Sequence, residues 1–142
     1  PRAVSDIRLS PEDVIAVTRE IETDLWKKTG GVHCSVLFRD GRLLAKSSDV
    51  GRHNTVDKLV GHAVLNGIDL SRCIIGCTGR QPAGMVRKSA HAGIPVIISR
   101  AATTDKGIAA AEAAGITLIG FPRGDRFTIY THPERVTGTG YS

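Results

Sequence analysis

The spacing of apolar residues changes along the chain, and these changes predict where helices and strands lie. Over residues 10–28 the apolar positions recur at helical intervals. Ser10 is placed to act as the N-cap of this helix, and Asp13 completes a capping-box pattern. Pro11 occupies the first helical position, where its missing N–H costs nothing. We therefore predict a first helix over residues 10–28 that ends at Gly30.

The next segment predicts a hairpin followed by a second helix. Residues 32–38 and 42–46 are rich in apolar residues and flank a turn that contains Gly41. The second helix is expected to start near Gly51. Its buried stripe is predicted to contain Val56, Leu59, Val60 and Ala63.

The remainder of the chain alternates between short apolar runs and amphipathic segments. The predicted strands cover residues 73–77, 95–99, 116–121 and 126–131. The predicted helices cover residues 83–93 and 103–115, the second capped by Thr103 or Thr104. From Thr137 onward the chain is polar and glycine-rich, so a loose tail is expected over residues 137–142.

Alternating strands and helices predict a mostly parallel sheet covered by helices on both faces. The hairpin at the start makes the sheet mixed. The expected fold is therefore an α/β protein, a three-layer α/β/α sandwich with a mixed sheet, forming a single domain over residues 1–142. In such sheets, ligands bind beyond the carboxyl ends of the strands.

Composition narrows the choice of ligand. The chain has 142 residues, of which 41% are hydrophobic and 23% charged, as expected for a globular domain. The net charge of +5 suits a nucleic-acid binder or a protein that binds a phosphate ester. The basic residues are scattered, and the chain has only one Trp, two Tyr and three Phe. These features argue against nucleic acid as a partner.

The cysteines and the lengths of the apolar runs suggest a compartment. The chain has three cysteines, Cys34, Cys73 and Cys77. A small, odd number argues against a disulfide scaffold, and we predict that all three are buried core thiols. No apolar run is long enough to cross a membrane, and no signal peptide is evident. We expect a cytoplasmic protein without a membrane partner.

Arginines follow four of the predicted strands. Arg52, Arg80, Arg100 and Arg123 each lie in the loop after a strand, beside small residues. Guanidinium groups bind phosphate in bidentate fashion, and helix N-termini direct free N–H groups at anions. The pattern predicts a pocket for an anionic ligand, most simply a nucleotide or pyrophosphate. The alternative is that these arginines are solvated residues at strand ends.

Polar residues are concentrated at the start of the second helix, and most have two interpretations. Asp49 could cap this helix or accept hydrogen bonds from a ligand. His53 could carry a proton, ligate a metal or simply be hydrogen-bonded. Asp57 could face the pocket or form a surface ion pair with Arg52 or Lys58.

A zinc nucleobase deaminase would share this architecture. Such an enzyme needs an H-x-E motif on one helix and a P-C-x-x-C motif on the next. This chain has "GRHN" and "TGRQPAGM" at the corresponding places. Neither the cysteine ligands nor the glutamate is present, so we predict no zinc site and no deamination.

Several segments together resemble one known family. The segments "TGGVHCS", "DVGRHNTVDKLVG", "MVRKSAHAGIPVIISRAATT" and "LIGFPRGDRFTIYTHPERV" strongly resemble the carboxyl-terminal domain of the FdhD family. This is a family of formate dehydrogenase accessory sulfurtransferases. The resemblance covers about residues 29–136 in the family's order.

The resemblance implies a fold and a function. The fold is expected to be cytidine-deaminase-like, without zinc. The family takes persulfide sulfur from a cysteine desulfurase and passes it to the molybdenum cofactor of formate dehydrogenase. That cofactor is a bis-molybdopterin guanine dinucleotide containing Mo or W, for which GDP serves as an analogue. Family members are typically homodimers, so we expect a homodimer here.

The arginine pattern and the resemblance together predict which residues bind this cofactor. Most lie in the four loops, and Lys88 lies on the helix that follows the second of them. The predicted cofactor-binding residues are Asp49, Gly51, Arg52, His53, Asn54, Asp57, Lys58, Thr78, Gly79, Arg80, Lys88, Ser99, Arg100, Ala101, Thr103, Phe121 and Arg123. No catalytic residue and no metal ligand is predicted.

The chain departs from the family pattern in two respects. The family carries its sulfur on a C-x-x-C loop upstream of this domain, and no C-x-x-C occurs here. The persulfide role is therefore not assigned to any of the three cysteines, and the question of catalysis stays open. The segment "QPAG", at residues 81–84, replaces the family's serine and acidic residue. Two functions follow: the cofactor-binding half of a sulfur-carrier protein, or a non-catalytic guanine-nucleotide-binding or partner-docking module.

Overall fold

The computed structural model describes residues 5–27, 32–101, 103–123 and 126–138. The side chains of residues 22–27, 52, 122 and 123 lie outside this description. The helices are α1 (Pro11–Lys27), α2 (Arg52–Leu65), α3 (Ala83–Ala92) and α4 (Asp105–Ala114). The strands are β1 (His33–Arg39), β2 (Arg42–Asp49), β3 (Ile74–Cys77), β4 (Val96–Ser99), β5 (Thr117–Arg123) and β6 (Arg126–Ile129).

The strands form one mixed sheet in the order β2-β1-β3-β4-β5-β6. Strands β3, β4 and β5 are parallel because a helix connects each to the next. β1 is antiparallel to both β2 and β3, and β6 is antiparallel to β5. We call the edge where β3, β4 and β5 end the carboxyl edge, and the opposite edge the amino edge. The predicted mixed α/β fold is confirmed.

The β1–β2 hairpin is built on an Asp-Gly turn. Asp40 and Gly41 both have positive φ angles, of 52° and 75°. This is the type I′ geometry that matches the twist of antiparallel strands. The prediction that β2 ends at residue 46 is wrong, because β2 continues to Asp49, which pairs with His33. The polar side chains of Ser47 and Ser48 concealed this extension.

Helices cover both faces of the sheet. α1 packs on one face through Val17 and Ile21, while α2, α3 and α4 cover the other. The close packing of α1 depends on Gly76 of β3. A Cβ atom there would lie 2.6 Å from Val17 Cγ1 and 2.7 Å from Ile21 Cδ1, closer than real Cβ contacts. These layers place the start of α2, α3 and α4 at the carboxyl edge.

Two helices begin with side-chain caps. The predicted capping box of α1 is confirmed: Asp13 N donates to Ser10 Oγ (3.2 Å), and Ser10 N donates to Asp13 Oδ2 (2.9 Å). In α4, Thr104 Oγ1 accepts a hydrogen bond of 2.9 Å from Gly107 N, so Thr104 rather than Thr103 is the cap. Both N-termini are therefore satisfied within the protein.

The amino edge is closed by a short 3-10 turn at Pro133–Arg135. The buried Arg135 Nη1 donates hydrogen bonds to the carbonyl oxygens of Pro95 and Gly115 and to Thr117 Oγ1. Thr137 N donates to Leu9 O (2.8 Å), which joins the end of the described chain to its beginning. The predicted loose tail over residues 139–142 lies outside the described residues, as does the predicted stop at Gly30.

His132 forms a second anchor at the amino edge. Its Nδ1 lies 2.9 Å from Glu134 Oε1, and its Nε2 lies 2.9 Å from the carbonyl oxygen of Glu112. Burial alone would lower the pKa of His132, but these hydrogen bonds and the charges of both glutamates raise it above its usual value. Since both partners can only accept, the imidazolium form, which donates from both nitrogens, suits this position best.

Candidate functional site

A row of small side chains runs across the sheet just below the carboxyl edge. Strand register places one residue from each strand side by side along this row. Its members are Ser47, Ser35, Cys77, Ser99, Gly120 and Thr128. The next row on the same face of the sheet is apolar, so the change in polarity marks the floor beneath the loops; that row contains Leu37, Ile75, Ile97 and Leu118.

Hydrogen bonds tie this floor to the start of α2. Ser35 Oγ lies 2.6 Å from Thr55 Oγ1 and donates to Cys77 Sγ at 3.4 Å. Ser47 Oγ donates to the carbonyl oxygen of Thr55 at 2.6 Å. The buried polar groups of the floor are thereby satisfied, and the first turn of α2 is fixed above β1 and β2.

The loops after β3 and β4 are braced against each other. The buried Gln81 Nε2 donates to Gly79 O (3.1 Å), and Ser99 Oγ donates to the same carbonyl oxygen (3.0 Å). Thr103 Oγ1 donates to Gln81 O at 3.2 Å. The first turn of α4 also presses on this brace, because a Cβ atom on Gly107 would lie 2.0 Å from Gln81 O. These contacts fix the backbone on both sides of Arg80.

Asp49 organises the loop that enters α2. Its Oδ1 accepts hydrogen bonds from Gly51 N (2.9 Å) and Asn54 Nδ2 (3.3 Å), and its Oδ2 lies 3.0 Å from Lys58 Nζ. The hydrogen bond from Gly51, followed by those from Lys58 and Asn54, lowers the pKa of Asp49 to about 2. The N-cap of α2 is Gly51, so Asp49 shapes the loop and does not cap the helix.

Asp57 connects α2 to α3. Lys88 Nζ donates to both carboxylate oxygens of Asp57, at 2.9 and 3.1 Å. Of the two partners considered for an ion pair with Asp57, Lys58 is wrong, because it bonds to Asp49 and to the carbonyl oxygen of Ser48. The side chain of Arg52, the other partner considered, lies outside the described residues. The Asp57–Lys88 pair bridges the two helices whose N-termini face the carboxyl edge.

The fold brings all four predicted arginine positions to the carboxyl edge, although Arg52 begins α2 and Arg123 ends β5, so only Arg80 and Arg100 lie in loops. Arg80 is exposed and forms no ion pair with another described residue. Arg100 is half-buried, and its backbone N donates to Cys77 O at 2.8 Å. The side chains of Arg52 and Arg123 lie outside the described residues, so their orientation stays a prediction.

The starts of α2 and α3 lack side-chain caps, although at α2 the Asp49 carboxylate already accepts a hydrogen bond from Gly51 N. Neither N-cap, Gly51 or Pro82, has a side chain that accepts a hydrogen bond from its helix, and neither helix has an acidic residue in its first turn. The free N–H groups of a helix start carry partial positive charge that favours an anion. Both ends lie at the same edge as Arg80, so three sources of positive potential meet there.

Some of the remaining predicted residues are exposed, and others form hydrogen bonds within the loops. His53, Asn54 and Lys58 are exposed on the first turns of α2. Thr78 Oγ1 accepts from Cys34 N at 3.0 Å, and the hydroxyls of Ser99 and Thr103 are used in the loop brace. Gly79 and Ala101 contribute through their backbone: Gly79 O accepts from Gln81 and Ser99, and Ala101 O accepts from Ser99.

Phe121 needs a correction of its predicted role. Its side chain is fully buried in the core cluster beneath α1, on the face of the sheet away from α2, α3 and α4. This leaves its side chain no exposed surface for a ligand. Strand alternation alone did not reveal which face position 121 occupies.

Sequence reasoning missed three residues that build the floor and the brace: Ser35, Thr55 and Gln81. All three are buried polar residues with hydrogen-bond partners in the site. A signal was available, since Ser35 interrupts the otherwise apolar strand "CSVLF". Its significance depends on strand register, which places Ser35 between Ser47 and Cys77.

The cysteines are unsuited to nucleophilic chemistry in this state. All three are free and buried, as predicted. Burial raises the pKa of Cys73 and of Cys77 to about 11, so little thiolate exists near neutral pH.

In the described part of the chain, no three His, Cys, Asp or Glu side chains are grouped to hold a metal ion. Nor does any helix there have the length and apolar character to cross a membrane.

Comparison with known proteins connects this site to one family. The FdhD/NarQ family model matches residues 1–137, which includes α1 as well as the segments that carry the resemblance. The chain is 40% identical over 136 residues to the sulfur carrier protein FdhD of Bacillus subtilis, covering 94% of this chain and 52% of that protein. It is 42% identical over 134 residues to FdhD of Thermoplasma volcanium, covering 92% and 48%. The chain thus spans about half the length of the curated relatives it matches.

Solved structures give the same picture. A protein described as a formate dehydrogenase accessory protein, from Desulfotalea psychrophila, superposes with a TM-score of 0.83 at 35% identity, covering 94% of this chain and 61% of that one. The dCMP deaminase of cyanophage S-TIM5 superposes with a TM-score of 0.55 at 15% identity, covering 78% of this chain and 98% of that one. The second likeness concerns the fold alone and confirms the cytidine-deaminase-like architecture. With the family model, these relatives and the fold in agreement, the chain belongs to the FdhD/NarQ family.

Proposed function

We propose that the carboxyl edge binds the guanine nucleotide portion of a molybdopterin guanine dinucleotide cofactor. The observation that carries this proposal is the position of Arg80, which is exposed and forms no ion pair with another described residue, at the same edge as two helix starts that lack side-chain caps. A pyrophosphate is the ligand that this combination favours, because free N–H groups and guanidinium forks both bind phosphate oxygens.

The residues present fit such a group. The N–H groups that begin α2 and α3 and the guanidinium of Arg80 would hold phosphates, and the braced loops around Gly79 would keep them in place. Asn54 and Lys58, exposed on the first two turns of α2, bond to Asp49, so contacts with the rest of the nucleotide would add to or replace these bonds. When bound, the cofactor would supply the Mo or W centre that receives sulfur.

In the whole protein, this binding would serve sulfur transfer. The relatives are named sulfur carrier proteins, and the Desulfotalea protein is described as a formate dehydrogenase accessory protein. We therefore propose that the chain supports maturation of a formate dehydrogenase, with sulfur supplied by a cysteine desulfurase, and that it acts as a homodimer in the cytoplasm. Because Cys34, Cys73 and Cys77 are buried, this role requires a sulfur-carrying thiol other than these three.

The second candidate is a non-catalytic guanine-nucleotide-binding or partner-docking module. It is favoured by the same buried thiols, because this chain's own cysteines offer no accessible nucleophile. Sulfur transfer by a protein that contains this chain, with the three cysteines replaced by serine, would support the first candidate. Loss of transfer with unchanged folding and nucleotide binding would contradict it.

Calorimetric titration of the chain with GDP tests the binding proposal, with ADP and CMP as controls. We expect saturable binding of GDP, and weaker binding of ADP and CMP. Equal affinities for GDP and ADP would retain a phosphate site but exclude guanine recognition. Absence of binding by all three nucleotides would overturn the proposal and favour the docking module.

A further inference from the structure

Two arginines face each other at the amino edge, at the opposite end of the sheet from the nucleotide site. Strand register places Arg39, the last residue of β1, directly opposite Arg42, the first residue of β2. Like charges in directly opposed positions destabilise a strand pair. Within the described part of the chain, neither guanidinium forms an ion pair or a hydrogen bond. The repulsion between them is offset only in part, by the Asp40 carboxylate in the same cleft and by the charge of Asp69.

The two arginines line a cleft of about 370 Å³ together with Asp40 and Leu44. The charge of Arg39 lies near the segment after α2, where it contributes to lowering the pKa of Asp69. However, Asp69 Oδ1 already accepts hydrogen bonds from Ser71 N (3.0 Å) and Ser71 Oγ (2.7 Å), which are the main causes of that lowering. The carboxylate nearest to Arg39 in this segment is thus engaged elsewhere.

One apolar side chain, Leu44, lines this cleft, and it packs against the core cluster that α2 covers. α2 begins at the carboxyl edge and returns along β2, so its last turn lies at the same end of the molecule as the hairpin. That turn carries Val64 and Leu65, which are 72% and 87% exposed. Exposed aliphatic residues close to a charged cleft are typical of protein interaction surfaces.

We infer that this cleft docks an acidic segment of another protein, in which carboxylates alternate with aliphatic residues. Guanidinium forks bind carboxylates in bidentate fashion, and Leu44 offers an apolar contact beside them, with the exposed end of α2 at the same end of the molecule. Two guanidinium charges less the one carboxylate of Asp40 leave a net charge of +1 in the cleft. This small excess suits a carboxylate side chain better than a polyphosphate or nucleic acid.

The inference is independent of the nucleotide proposal. The Arg39–Arg42 cleft lies at the amino edge, and Arg80 lies at the carboxyl edge, so the two ligands would not compete. A partner held at the hairpin would leave the loops after β3 and β4 accessible.

Fluorescence anisotropy with a labelled decapeptide of alternating Glu and Leu tests the inference. The matched probe has Gln in place of Glu. We expect the Glu-Leu peptide to bind saturably, and the Gln-Leu peptide to bind at least about tenfold more weakly. The double substitution Arg39→Gln and Arg42→Gln should weaken binding of the Glu-Leu peptide by at least about tenfold, which corresponds to about 1.4 kcal/mol. Raising NaCl from about 50 mM to about 500 mM should weaken it further.

Arg87→Gln is the matched control, because Arg87 is an exposed arginine on α3 away from the cleft and its replacement changes the net charge equally per site. Its peptide affinity should equal that of the parent. The double variant should unfold at or above the parent's midpoint, since it removes a repulsion. If it unfolds below, the exposed single variant Arg42→Gln replaces it in the titration. Absence of saturable binding, equal binding of both peptides, or unchanged affinity in the cleft variants would each overturn the inference.

Discussion

The two edges of the sheet use the same side chain in opposite ways. At the amino edge, Arg135 is buried and donates hydrogen bonds to two carbonyl oxygens and a hydroxyl. At the carboxyl edge, Arg80 is exposed and forms no ion pair with another described residue. The first arginine joins separate parts of the chain, whereas the second is left for a ligand. The hydrogen bonds that an arginine already forms within the protein therefore indicate its role better than the residue type does.

The helix starts repeat this contrast. α1 and α4 are capped by Ser10 and Thr104 and have acidic residues in their first turns. α2 and α3 have neither feature. A cap and an acidic first turn each stabilise a helix. The Asp49 carboxylate partly compensates the start of α2, and the start of α3 needs another partner to compensate its open N–H groups. An anionic ligand would do so.

The largest effect is expected from Arg135→Ala. This change leaves the carbonyl oxygens of Pro95 and Gly115 buried without their donor, so the free energy of unfolding should fall by about 3 kcal/mol. Urea denaturation measures the loss. The variant that remains folded should bind GDP like the parent. An unfolding free energy within about 0.5 kcal/mol of the parent would show that Arg135 is not an anchor.

Arg80→Ala should give the reverse pattern. Because Arg80 is exposed, its removal should change the unfolding free energy by less than about 0.5 kcal/mol. GDP binding should weaken by about 1.5–3 kcal/mol, the range for hydrogen bonds to charged groups. Calorimetry compares this variant with Arg87→Ala, an exposed control on α3. Equal GDP affinity in the two variants would remove Arg80 from the site.

Adding a side-chain cap to α3 should raise the free energy of unfolding and weaken GDP binding. Pro82→Asp places a carboxylate where it accepts the open N–H groups, and should stabilise the fold by about 1 kcal/mol. The same carboxylate should repel phosphate and weaken GDP binding. Pro82→Ser adds a neutral cap, and is expected to change both quantities in the same direction but less. A variant that gains stability without losing affinity would place the ligand away from α3.

The smallest effect is a pH dependence from His132. Its pKa is raised in the folded state, so its stabilising contribution is complete below the unfolded value of about 6.5 and is lost as pH rises through the folded pKa. Between about pH 6 and about pH 8.5, the parent should therefore lose more unfolding free energy than His132→Gln. Parallel urea titrations measure this difference. Identical slopes for both proteins would mean that the imidazolium does not contribute.

Local sequence predicted those parts of the fold that local physics controls. The Ser10–Asp13 capping box and the Asp-Gly turn depend on residues within a few positions of one another, and both predictions are confirmed. The mixed sheet followed from the alternation of strands and helices. The gathering of four arginine positions at one edge was also predictable, because parallel strands place their following loops together.

Contacts between distant residues were beyond such reasoning. The Asp57–Lys88 bridge joins residues 31 positions apart, and nothing local distinguishes Lys88 from Lys58 as the partner. Likewise, the carbonyl oxygens that bind Arg135 belong to segments 20 and 40 residues upstream. The burial of Phe121 depends on which sheet face it occupies, and that is decided by the packing of α1.

Gly107 carries a consequence for genetics. It is buried on α4, has an ordinary negative φ, and touches the backbone oxygen that sits behind Arg80. In a saturation-mutagenesis screen scored by function, this position should tolerate almost nothing, because even one added methyl group must displace Gln81 and the loop attached to it. Position 107 would then rank with residues that contact the ligand, although its effect would come from packing. A map of intolerant positions would therefore extend the binding site into the first turn of α4.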